Sequence, residues 1–98
     1  MTNPKFKALL EQMAALHARK NHDYANDQNP YSNFEEAAQV AGCSAETVFL
    51  VLIGVKLARL RELTRSGKTP NNETIQDTRM DLTMYCALYT SYCSGLYE

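Results

Sequence analysis

The sequence predicts a small all-α protein, an antiparallel bundle of about four helices that gains from self-association. Three observations predict it. Apolar residues recur at three- and four-residue spacing in the longer segments, and none alternates strongly enough to read as strand. Helix-start residues stand ahead of these segments, with Gly42 and Gly67 after two of them. The run Val48 to Val55 is apolar all round, too much for a 98-residue chain to cover by itself.

The first helix is predicted from Pro4 to about His22, with Asn3 as its cap and Pro4 pre-organised for the first turn. Phe6, Leu9, Leu10, Met13, Leu16 and His17 make its apolar stripe. Asp23 to Tyr31, with Asn26, Asp27, Asn29 and Pro30, reads as a loop. Ser32 and Glu35 match a capping box and open a short second helix that Gly42 ends. Ser44 caps a third helix reaching Ser66, with Gly67 as its left-handed stop. On it Phe49, Leu52, Ile53, Lys56, Leu60 and Leu63 share the inward spacing. After the loop Lys68 to Asn72, a fourth helix runs from Glu73 to about Tyr92. Short connections between long helices favour antiparallel neighbours.

Composition narrows the class. The 98 residues form one domain, residues 1–98. Ten basic against eleven acidic side chains leave a net charge of −1, which gives no footprint for a nucleic-acid polymer. The start of the chain has no apolar signal core, and the eight-residue run Val48 to Val55 is far below the roughly 18 needed for a membrane span. A cytoplasmic protein is expected. Cys86 and Cys93 lie seven residues apart, about 10 Å along a helix and too far for a disulfide. The three cysteines are expected as reduced, mostly buried thiols.

Glu73, Asp77 and Asp81 fall at i, i+4 and i+8 on one face of the fourth helix. Like charges so spaced repel. Glu73 suits a helix start, but Asp81 lies deeper, between Met80 and Leu82. Two arrangements relieve the repulsion. The carboxylates pair across the hairpin with Lys56, Arg59 or Arg79, or they bind a hard cation such as Mg²⁺ together with phosphate oxygens. Lys56 interrupts the apolar face of the third helix, and Arg59 follows one turn later. A second polar cluster, Lys20 to Tyr24, closes the first helix, where Lys20 and His22 also complement the helix dipole.

The order Lys20-x-x-Asp23-Tyr24, Asn33-Phe34, Lys56-x-x-Arg59-Leu60 and Glu73-x-x-x-Asp77-Thr78-x-x-Asp81-Leu82-x-x-Tyr85 resembles the small phage and bacterial nucleotide-modification-associated domain. That group is similar to the MazG-like all-α nucleoside triphosphate pyrophosphatases. The resemblance implies a helical bundle in which Glu73, Asp77 and Asp81 hold Mg²⁺. Lys56 and Arg59 would face phosphates, and Lys20, Asp23, Tyr24 and Asn33 would line a nucleotide pocket. It implies hydrolysis of a nucleoside triphosphate between the α- and β-phosphates. The paired Glu-x-x-Glu of the pyrophosphatases has only the adjacent Glu35 and Glu36 as a counterpart here. Two other functions stay open, namely a phage protein that binds or sequesters a nucleotide without turnover, and a helical protein-interaction module.

Overall fold

The computed structural model describes residues 2–24, 29–67 and 74–94, and of residues 20–24 only the backbone. The described residues form four helices and no strand: α1 (Pro4–Tyr24), α2 (Ser32–Ala41), α3 (Ala45–Ser66) and α4 (Ile75–Ser94). The chain divides into two compact units, Met1–Asn33 and Phe34–Glu98.

In the first unit, the Asn3 side-chain oxygen accepts hydrogen bonds from the backbone N–H groups of Lys5 (3.0 Å) and Phe6 (3.1 Å). These are two of the donors that a helix start leaves without intrahelical partners, so the predicted cap is real. The helix continues two residues past His22 and takes in Asp23 and Tyr24, whose helix penalty is mild. Leu9, Met13, Leu16 and His17 are half-buried, whereas Phe6 and Leu10 are exposed. The turn into α2 is built on Asn29, whose side chain accepts from the Tyr31 N–H at 3.0 Å and whose carbonyl accepts from the Ser32 N–H at 3.1 Å.

The second unit carries the core. α2 ends at Gly42, where φ is +71°. The Cys43 N–H reaches the Ala38 carbonyl (2.9 Å) and the Gly42 N–H reaches Gln39 (3.3 Å), the two bonds of a Schellman ending. Ser44 then caps α3 by accepting from the Thr47 N–H at 3.1 Å, and Gly67 ends it at φ +66°. Both bounds fall where the sequence places them.

α3 and α4 pack antiparallel. Phe49 stacks on Tyr89 with ring centroids 5.5 Å apart, and Lys56 pairs with Asp81 at 3.0 Å. Ascending α3 thus descends α4. Phe34 of α2 stacks on Phe49 at 4.3 Å, and Tyr92 closes the cluster at 5.5 Å. Phe49 is wholly buried, and Met84 and Ala38 are buried with it in this unit. Leu52, Ile53, Lys56, Leu60 and Leu63 are half-buried, as the inward spacing requires.

Within the single chain α4 covers one face of α3, and Leu50, Val51, Gly54 and Val55 of the run Val48 to Val55 are exposed. One expectation changes: the cysteines are not buried. Cys43, Cys86 and Cys93 are all free and exposed. Cys43 belongs to the turn after Gly42, and the inner face of α4 is filled by Thr78, Met84, Tyr89 and Tyr92 instead. Among the described residues no single helix is long and apolar enough to cross a membrane.

Candidate functional site

The polar residues that the α3–α4 packing brings together centre on one ion pair. Lys56 Nζ lies 3.0 Å from Asp81 Oδ2, with the two side chains 19% and 24% exposed. The antiparallel register creates the contact. Lys56 stands two turns above Phe49 on α3, and Asp81 stands about two turns below Tyr89 on α4. The Lys56 stem lies within the apolar face while its ammonium meets the carboxylate. Arg59 follows on the next turn, half-buried, with its Nε out of contact with solvent. Thr78, on the turn of α4 before Asp81, is fully buried. Its hydroxyl donates to the Thr74 carbonyl at 3.1 Å, which lets a polar residue enter the core without an unmet donor.

Asp77 has a different occupation. Its backbone N–H donates to Thr74 Oγ1 at 2.9 Å, and its Oδ2 accepts from the Thr74 N–H at 3.3 Å. This reciprocal pair is a capping box, so α4 begins at Ile75 with Thr74 as its cap rather than at Glu73. The signal was present in Thr74-x-x-Asp77, a spacing that marks helix starts. The repulsion expected between Asp77 and Asp81 is therefore answered separately at each end. Asp77 faces the positive end of the helix dipole, and Asp81 faces an ammonium.

Of the other candidate residues, Asn33 is half-buried on α2 and closes the first unit. The side chains of Lys20, Asp23 and Tyr24 lie outside the described residues, and so does Glu73. Among the described residues no three His, Cys, Asp or Glu side chains converge as a metal site needs. Asp77 and Asp81 each have a carboxylate oxygen already engaged by the fold.

The far end of the hairpin holds a second polar contact that the sequence reading missed. The Cys93 thiol donates to Glu46 Oε1 at 3.5 Å, joining the end of α4 to the start of α3. Lost hydration, then the hydrogen bond to Glu46 and its charge, push the Cys93 thiol above the ordinary thiol range. Tyr89 and Tyr92 are raised too, first by desolvation and then by nearby carboxylates. A raised pKa lowers the thiolate fraction at any given pH, and the thiolate is the reactive form. Cys93 is therefore expected to alkylate more slowly than Cys43 or Cys86 near pH 8. Glu46→Gln should speed Cys93 alone. Mass-spectrometric alkylation rates across pH check this, and equal rates at all three thiols would contradict it.

No protein-family model matches the chain, and no curated protein and no solved structure matches it significantly.

Proposed function

We propose that this chain handles nucleotides, with the Lys56–Arg59 stretch of α3 against α4 as its phosphate-facing site. The observation that carries the reading is the Lys56–Asp81 pair, 3.0 Å apart and mostly shielded from water. A carboxylate that holds an ammonium in place at reduced hydration pre-positions a point charge, which a phosphate oxygen can then share. Arg59 one turn on adds a planar fork suited to a second phosphate oxygen. The motif order that resembles the MazG-like pyrophosphatases supports the same two cations.

Two forms of this reading part at turnover. In the pyrophosphatase form, Mg²⁺ joins the nucleotide and the chain releases pyrophosphate. In the binding form, the chain holds the nucleotide without cleaving it. The use of Asp77 in the capping box favours binding, because it takes one carboxylate away from the proposed metal set.

A thermal-shift screen of nucleoside triphosphates, with Mg²⁺ and with EDTA, tests the proposal, since a ligand that binds the native state raises its melting temperature. A nucleotide-dependent rise is expected, and calorimetry then gives the affinity. Asp77→Asn should lower stability by about 0.3–1 kcal/mol, through the charge lost at the start of α4, and leave nucleotide affinity unchanged in the folded protein. Magnesium-dependent pyrophosphate release would select the pyrophosphatase form. No nucleotide response in either buffer would sink both forms and leave the interaction module.

A further inference from the structure

The outward face of α3 is apolar where the inward face is already occupied. Leu50, Val51, Val55 and Leu57 remain 54%, 57%, 58% and 55% exposed. Gly54 sits in the middle of them, and nothing lies within 4 Å of where its Cβ would stand. Ala58 follows one turn later, also exposed. Side chains this small at the centre let a second helix approach toward the short end of the usual interaxial range of about 8–10 Å.

Charge along α3 selects the occupant and its direction. Glu46 is exposed at the start of the helix, and Arg61 and Arg65 are exposed at its end, with Glu62 between them. A parallel copy would lay arginine on arginine. An antiparallel copy crossing at Gly54 brings Leu50 over Ala58 and Val51 over Leu57. It also sets Glu46 level with the turn of the second copy that carries Arg61 and Arg65. Opposed helix dipoles favour the same direction.

We infer that a second copy of this chain covers this face, α3 crossing α3 antiparallel at Gly54 in a two-fold dimer. A two-fold interface pairs one patch with itself, and an apolar centre flanked by opposite charges at its two ends is self-complementary only in that direction. Glu46, which the Cys93 thiol also contacts, is the one residue this interface shares with the α3–α4 packing. Lys56, Arg59 and Asp81 stay outside it, so it does not depend on the nucleotide reading.

Sedimentation of the full chain at micromolar concentrations tests it. The wild type is expected at twice the 11.1 kDa chain mass. Val51→Glu and Val55→Glu, both at exposed positions, should keep their helical circular dichroism yet raise the dimer dissociation constant by about 10-fold or more, because each would bury a charge. Arg61→Glu combined with Arg65→Glu should weaken the dimer, and adding Glu46→Arg should restore it. A wild-type monomer throughout overturns the inference. So does a dimer indifferent to Val51→Glu and Val55→Glu, which would place the interface elsewhere. A charge reversal that Glu46→Arg does not rescue overturns the antiparallel direction. Monomeric wild type captured by anionic phospholipid vesicles would assign the face to lipid instead.

Discussion

Phe49→Ala is expected to lower the unfolding free energy by about 3–5 kcal/mol, the usual cost of emptying a core aromatic site. Phe49 is fully buried, and its ring meets Phe34, Tyr89 and Tyr92 at centroid distances of 4.3, 5.5 and 5.5 Å. Three helices therefore lose a shared contact when it is cut back. Aromatic pairs add about 0.5–1.5 kcal/mol each beyond the area they bury. Small domains hold only about 5–15 kcal/mol in total, so the variant sits close to unfolding. Urea titration at fixed protein concentration, followed by circular dichroism, reads the change as a lower midpoint at unchanged slope. Val40→Ala is the control, since Val40 is 90% exposed and its loss should stay within about 0.5 kcal/mol. If Phe49→Ala unfolds no more easily than Val40→Ala, the aromatic cluster does not hold this unit together.

The second large effect concerns Lys56 and Asp81, where stability and binding should separate. Lys56→Met leaves the Asp81 carboxylate three-quarters shielded without its ammonium, and Asp81→Leu does the converse to Lys56. Each single change should cost about 1–3 kcal/mol, below the figure for a fully buried pair because water still reaches both groups. The double variant Lys56→Met/Asp81→Leu should recover most of that loss, since two apolar side chains can replace a half-buried ion pair. A double-mutant cycle in urea measures the coupling. If Lys56 serves phosphate, the recovered double variant still loses the nucleotide-dependent rise in melting temperature. A double variant that is stable and binds as wild type would make the pair a strut between helices and nothing more.

These two sites differ in how far the sequence discloses them. The inward spacing of α3 already lines up Phe49 with Lys56, and both face α4 in the structure. The motif order also brings Lys56 and Asp81 into consideration together, and the hairpin joins them. The shared helix face could not separate the roles of the two aspartates, because i and i+4 give them equal claims there. Only the Thr74-x-x-Asp77 spacing marks Asp77 as a cap residue. Hydrogen bonds distinguish them: Asp77 closes on Thr74 three residues earlier, and Asp81 reaches across to α3.

The sequence by itself determined the helical class and most of the helix limits. Asn3, Gly42, Ser44 and Gly67 act on backbone groups within a few residues of themselves, so their effect can be read from neighbours in the chain. Periodicity likewise marked the inner face of α3, since helix pitch converts spacing directly into direction. Tertiary structure alone decided what that face meets and what the opposite face is left without. The stacking of Phe34, Phe49, Tyr89 and Tyr92, the burial of Thr78 and the exposure of the cysteines all depend on the rotation and register of α4 against α3. Those are fixed by contacts between residues about 25 to 50 positions apart, such as Lys56 with Asp81 and Glu46 with Cys93. A pattern confined to one helix shows which residues share a side. It does not show which side the neighbouring helix will choose, because that choice minimises the free energy of both surfaces together.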